Sequence, residues 1–352
     1  MRSPPAGGRH ERNAALSRRE ANMGSGDWSP GWGLGMQSPK GENMKLAFLF
    51  AGQGSQKAGM GRDLYENYPA FRKAFDSAEL DFDLKRVCFE DPDGVINQTQ
   101  YTQPCMVAFA VGVNAVLAEN GVVPEYPAGL SLGEYSALHC AGVFTAKQAI
   151  ELTAYRGAAM AKAAEGIESA MTAVLMLDRE TLQRCCEEAG DAGVVKICNY
   201  NCPGQLVIGG EKAAVTRAGE LAKAAGARRL MPLRVSGPFH TPLMQPAAEA
   251  LQKRFETETF GGMEIPVLFN CLGREKGAET VAELLIRQVK DSVYMEDTIR
   301  RLAELGVDTI VEIGPGRALS GFVSKTVGNA MTCYAVEDCA SLEAAVQALC
   351  AE

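Results

Sequence analysis

Ser131 stands in Gly-Leu-Ser-Leu-Gly, residues 129–133, between an apolar stretch that ends at Leu130 and the helix-like run "EYSALHCAG". A GxSxG pattern on a strand-to-helix turn is the setting of a nucleophile elbow, which presents a serine hydroxyl to a reacting carbonyl. Its glycines suit a strained, closely packed turn where a Cβ would clash. The helix that follows offers unpaired N–H groups and the positive end of its dipole to a developing oxyanion. Glycine and serine are common enough that the motif alone says little; the strand before it and the helix after it give it weight.

A serine hydroxyl needs a base, and the chain holds only three histidines. His10 lies in an N-terminal stretch that reads as a disordered leader. His139 is eight residues beyond Ser131 on the following helix, about 12 Å along the axis at about 1.5 Å per residue, too far to take its proton. His240 remains, in "VSGPFHTPLM", where Pro238 and Pro242 constrain the loop before a helix starting near Leu243. His240 is the expected base.

The elements that must bring these two residues together read as α/β. "KLAFLF" is a buried strand leading into the Gly-rich loop "AGQGSQ", with helical patterns near 69–77 and 103–119 and a strand at 126–130. Thr145 and Gln148 form a capping box for a long helix. From 170 to 235 the order is β-α-β-β-α-β, that of a ferredoxin-like unit, with Asp178 capping its first helix. Strands near 267–269, 309–313 and 332–335 then resume the alternation. The expectation is a hydrolase-like large subdomain over 44–169 and 236–352, its mostly parallel sheet flanked by helices, with an inserted ferredoxin-like small subdomain over 170–235. Residues 1–43, rich in Gly, Pro, Ser and Arg, are read as a disordered leader or an upstream extension before Met44.

Composition narrows the function classes. With 47% hydrophobic and 22% charged residues the chain folds, and a net charge of -8 argues against nucleic acid as a partner. The longest apolar stretch, Val107–Ala118, is interrupted by Asn114 and too short for a bilayer, so no membrane partner is expected. Eleven cysteines are scattered without a CxxC pair or a secretory signal, and histidines are few. No metal and a reducing, cytoplasmic setting are expected. Nucleotide binding is rejected: in "EIGPGRALSG" the third glycine of GxGxxG falls on Leu319 and Pro315 lacks an N–H, while "GQGSQK" lacks the GK[ST] of a P-loop.

From Lys45 to near the C-terminus the chain resembles malonyl-CoA:acyl carrier protein transacylases, the malonyl loading enzymes of bacterial fatty acid synthesis. The segments that carry the resemblance are "FAGQGSQ", "GLSLGEYSAL", "YRGAAM", "NYNCPGQLVIGG", "VSGPFHTPLM", "RQV" and "VEIGPGRALSGF". The resemblance implies a ping-pong reaction. Ser131 would attack the thioester of malonyl-CoA with His240 as general base, and the phosphopantetheine thiol of an acyl carrier protein would then take the malonyl group. It further implies an oxyanion hole from the backbone N–H groups of Gln53 and Leu132, and Arg156 on the free carboxylate. The backbone carbonyl of Gln288 would orient the histidine where a triad acid is lacking. Asn201 would lie near the acyl pocket, and Phe239 would crowd a 2-methyl branch. Coenzyme A enters as substrate thioester, no cofactor is implied, and a monomer is expected. One departure is Leu130, where the family commonly has histidine; polar support from that side chain is lost. Two rivals remain: a serine hydrolase, which usually orders Ser, Asp or Glu, then His along the chain, and a non-catalytic carrier-binding domain.

Overall fold

The computed structural model describes residues 44–350; the expected leader, 1–43, lies outside them. The chain runs β1 (Leu46–Phe50), α1 (Arg62–Asn67), α2 (Pro69–Phe75), α3 (Thr99–Glu119), β2 (Tyr126–Gly129), α4 (Gly133–Cys140) and α5 (Ala146–Ala164). The next segment is β3 (Ser169–Leu175), α6 (Arg179–Glu188), β4 (Val195–Cys202), β5 (Gln205–Glu211), α7 (Lys212–Ala224) and β6 (Arg229–Pro232). It continues with α8 (Gln245–Phe255), β7 (Leu268–Phe269), β8 (Arg274–Glu275), α9 (Val281–Gln288) and β9 (Val293–Tyr294). Then follow α10 (Met295–Glu304), β10 (Thr309–Ile313), α11 (Ala318–Val327), β11 (Thr332–Val336) and α12 (Cys339–Leu349).

Two sheets organise these elements. The first has the order β11-β10-β1-β2-β7-β8, parallel from β11 to β7, with β8 antiparallel at one edge. β1 sits at its centre and all five of its residues are buried. Side-chain alternation divides them between two cores. Leu46, Phe48 and Phe50 join α3, α4 and α5 on one face, while Ala47 and Leu49 join Ile299, Leu302, Phe322 and Val323 of α10 and α11 on the other. A strand covered on both faces has to read as the unbroken apolar run it is. α3 is long and apolar enough to cross a membrane by length and composition, yet it lies mostly buried inside the fold. It starts at Thr99, four residues before the apolar pattern does.

The second sheet has the order β6-β3-β5-β4-β9. Its first four strands are antiparallel in the β-α-β-β-α-β order, with α6 and α7 packed over Val174, Ile197, Leu206 and Ile208. The fifth strand comes from outside the 170–235 segment: Val293 and Tyr294 run parallel to Asn199 and Tyr200. β4 would otherwise expose an unpaired edge. The junction is reinforced by the Tyr200 and Tyr294 rings, stacked with centroids 4.9 Å apart. Arg179 lies 4.8 Å over the Tyr200 ring and reaches Glu296 at 2.9 Å and Asp297 at 3.0 Å.

Caps fix the helix starts. Gln148 N–H donates to Thr145 Oγ1 at 3.1 Å and Thr145 N–H to Gln148 Oε1 at 3.2 Å, so the capping box of α5 forms. α11 is capped from the sheet. Glu312 on β10 is fully buried and accepts from Leu319 N–H (2.9 Å), Ser320 N–H (2.7 Å) and Ser320 Oγ (2.5 Å). The Gly314-Pro315-Gly316 segment is thus a turn that places a helix start on a buried carboxylate. Glu312→Ala is expected to cost about 3 kcal/mol, because three donors lose a charged acceptor in the interior. Urea denaturation of the variant against the native chain measures it.

Candidate active site

Ser131 follows β2 and has φ +55°, a left-handed conformation uncommon for a residue with a Cβ. The flanking glycines make the turn possible. A Cβ on Gly129 would overlap the Gly133 carbonyl, and one on Gly133 would overlap the carbonyl oxygen of Phe50, so α4 starts directly against the end of β1.

The hydroxyl of Ser131 lies 2.8 Å from Nε2 of His240. The other ring nitrogen, Nδ1, is 2.7 Å from the backbone carbonyl of Gln288. A carbonyl only accepts, so Nδ1 carries the proton and Nε2 keeps its lone pair toward the serine. Burial, then the positive charge of Arg156, push the pKa of His240 down to about 3. The imidazole is held neutral and correctly turned, with a carbonyl in the place where a hydrolase triad has a carboxylate.

Arg156, on α5, is fully buried. It donates to Gln103 Oε1 at 2.6 Å, to Gln288 Oε1 at 2.7 Å and to Ser131 Oγ at 3.1 Å, and lies 5.7 Å over the Tyr135 ring. Its Nε has no hydrogen-bond partner among the described residues. Among them no carboxylate lies within ion-pair distance of it either: its hydrogen-bond partners are neutral amides and a hydroxyl, and the buried Glu134 carboxyl acts on it only at longer range. Burial lowers its pKa, but guanidinium is so strong a base that it stays charged. A buried cation without a directly paired counter-ion is costly, and the cost falls when an anion binds beside it.

Gln288, at the end of α9, connects the three groups. Its backbone carbonyl accepts from His240, its Oε1 accepts from Arg156, and its Nε2 donates to the carbonyl of Ser131 at 2.7 Å. Gln53 sits half-buried in the loop after β1, its side chain donating to Thr99 Oγ1 at 3.2 Å. Among the described residues the backbone N–H groups of Gln53 and Leu132 donate to no protein acceptor. Leu130 places its side chain beside Gly52 of that loop, an apolar wall.

Asn201 and Phe239 stand apart from this hydrogen-bonded cluster. Asn201 is buried on β4 with its Oδ1 unpartnered, and Phe239 is buried in the main core next to Gly237. His139 is buried and turned toward Asn114, with burial pushing its pKa down to about 4. Among the described residues no cluster of His, Cys, Asp or Glu is arranged to hold a metal ion.

The reading of the sequence missed four participants: Gln103, Glu134, Asn270 and the side chain of Gln288. Asn270 directly follows β7, at the carboxyl end of a parallel strand, where ligand sites of α/β sheets gather. Gln103 lies one helical turn beyond Thr99, buried where the mainly apolar part of α3 begins. Those two signals were available; the roles of Glu134 and of the Gln288 amide required the fold.

The acyl transferase domain family matches residues 47–345. The malonyl CoA-acyl carrier protein transacylase of Bacillus subtilis strain 168 is 40% identical over 309 residues, covering 87% of this chain and 97% of that protein. The Escherichia coli K12 enzyme of the same name is 38% identical over 307 residues, covering 86% and 99%. Among solved structures, the Streptococcus pneumoniae enzyme is 44% identical with a TM-score of 0.83, covering 87% of this chain and all of that one. A malonyl-transacylase solved with its type II PKS acyl-carrier protein is 42% identical with a TM-score of 0.82, covering 86% and 99%. Nearly the whole length of these enzymes, and the sheet that carries Ser131, is therefore shared: the chain belongs to the acyltransferase family of malonyl-CoA:acyl carrier protein transacylases.

Proposed function

We propose that this enzyme moves a malonyl group from malonyl-CoA to the phosphopantetheine thiol of an acyl carrier protein, supplying fatty acid synthesis, with Ser131 as the nucleophile. The observation that carries the reading is the fully buried guanidinium of Arg156, with no ion pair to a carboxylate among the described residues, 3.1 Å from the Oγ that His240 polarises. It fits an acyl group that brings its own carboxylate, and a planar guanidinium grips a carboxylate with two parallel hydrogen bonds.

Nε2 of His240 takes the hydroxyl proton as Oγ bonds to the thioester carbon. The carbonyl oxygen becomes an oxyanion that the N–H groups of Gln53 and Leu132 stabilise. Collapse breaks the carbon–sulfur bond, and the thiolate of coenzyme A leaves with the proton from His240. The carrier thiol then attacks the seryl ester by the same path in reverse, and Oγ regains its proton. When the malonyl carboxylate offsets the charge of Arg156, one of the causes that depress His240 weakens, so the base strengthens with the correct acyl group in place.

Asn201 and Phe239 border the acyl group, Phe239 disfavouring a 2-methyl branch. The enzyme works as a cytoplasmic monomer without metal or organic cofactor, and without nucleic acid or membrane partners. Eleven reduced cysteines, eight of them buried, support a reducing compartment.

Intact-mass analysis tests the reading. Malonyl-CoA should add one malonyl group at Ser131, and carrier protein should then remove it and gain the same mass. Free malonate without transfer would make the enzyme a hydrolase, and an adduct surviving in Ser131→Ala would move the nucleophile elsewhere. Arg156→Ala should lower acylation by malonyl-CoA about 100-fold, roughly 2.7 kcal/mol, and acylation by acetyl-CoA far less; single-turnover quench-flow with each thioester separates the two. A histidine with a lowered pKa is the free base above that value and loses function only as pH falls through it. The kcat/KM for malonyl-CoA should therefore stay level from pH 7 to pH 5, where an ordinary histidine near 6.5 would already be mostly protonated.

A further inference from the structure

Ser131 holds a left-handed backbone that a residue with a Cβ keeps only when its surroundings enforce it. Two side chains do so, one on each polar atom of the serine's backbone. Gln288 Nε2 donates to the carbonyl oxygen at 2.7 Å, and Asn270 Oδ1 accepts from the N–H at 2.6 Å. The other end of the same amide, Asn270 Nδ2, donates to the carbonyl of Gly129 at 2.6 Å. Asn270 thus grips residues 129 and 131 as a neighbouring strand's peptide unit would. It does this where the ladder has run out, since β2 and β7 pair only at Ala128 and Leu268.

The clamp is itself anchored. The N–H of Asn270 donates to Glu134 Oε2 at 2.5 Å, and its carbonyl accepts from Tyr294 N–H at 2.8 Å. Glu134 is fully buried in the first turn of α4, three residues beyond the serine. Constraint therefore runs in a closed circuit from Ser131 to Asn270, to Glu134, and back along α4 to Ser131. Burial pushes the pKa of Glu134 up to about 8, while the Asn270 N–H and Arg156 act in the opposite direction.

We infer that Asn270, anchored by Glu134, is a positioning residue: its side-chain amide sets the backbone of Ser131 so that Oγ faces His240 Nε2. This rests on Ser131 being the nucleophile. Asn270 has no hydrogen bond to Arg156, so it governs alignment of the attacking oxygen and not the grip on the acyl carboxylate.

The test uses the full chain and an uncharged fluorophosphonate, which reports alignment of Ser131 with His240 without needing Arg156 or a carrier protein. Asn270→Ala should lower the labelling rate per folded molecule at least 30-fold and kcat by a similar factor, with KM for malonyl-CoA within threefold of the native value. Asn270→Asp keeps the volume and the acceptor for Ser131 N–H but loses the donor to Gly129. Protonating the introduced carboxyl restores that donor. Labelling of Asn270→Asp should accordingly rise at least tenfold from pH 8 to pH 5.5, while the native enzyme shows no rise.

Labelling of both folded variants within threefold of native, whatever their melting temperatures, would make Asn270 structural only and overturn the inference. If Asn270→Ala does not fold, the pH profile of Asn270→Asp decides, and a profile without the rise overturns it. No adduct on Ser131 in the native enzyme would instead sink the nucleophile reading on which the inference stands.

Discussion

The contact of 2.8 Å between Ser131 Oγ and His240 Nε2 joins residues 109 positions apart, and the surrounding architecture keeps it closed. On the serine side the constraint is backbone strain. A left-handed residue at the end of a parallel strand is held against a helix start that tolerates no Cβ at Gly129 or Gly133. On the histidine side the constraint is a carbonyl, which fixes the tautomer by accepting from Nδ1. The parallel sheet gathers the rest. The loops after β1 and β2 and the residue after β7 meet at the carboxyl ends of their strands, so Gln53, Ser131 and Asn270 converge from three separate stretches of chain.

Electrostatics then divides the labour. Three amide or hydroxyl oxygens surround the guanidinium of Arg156 and none of them carries a charge. A carboxylate there would satisfy the arginine permanently and leave nothing for a ligand. Amides hold the fork in place and leave its charge available. The same positive charge, together with burial, keeps His240 neutral, so a proton acceptor and a cation coexist a few ångströms apart without competing.

One short segment couples the site to the smaller sheet. Gln288 ends α9, Val293 and Tyr294 become that sheet's fifth strand, and Glu296 and Asp297 bind Arg179 at the start of α6. Ser292 adds a hydrogen bond of 2.7 Å to the carbonyl of Ile197. The carbonyl that orients the histidine therefore belongs to the stretch that fastens one sheet to the other. The sheet boundary follows hydrogen bonding, not chain order.

Local chemistry was readable along the chain. The unbroken apolar run of β1, the capping box of α5, the β-α-β-β-α-β order and the Gly-x-Ser-x-Gly elbow are short-range patterns, and each has a physical cause within a few residues of itself. Elimination among three histidines reached His240 for the same reason: helix geometry alone places His139 too far from the serine. β9 was not readable, because a two-residue strand gains its identity only from the edge it meets. Nor was the amide cage around Arg156, since glutamine looks the same in sequence whether it faces water or a buried cation. Side-chain type and local backbone preference were fixed by the residues themselves. Which amide meets which charge, and which strand closes which edge, were decided by packing, because those pairings join segments more than fifty residues apart and exist only after the core has closed.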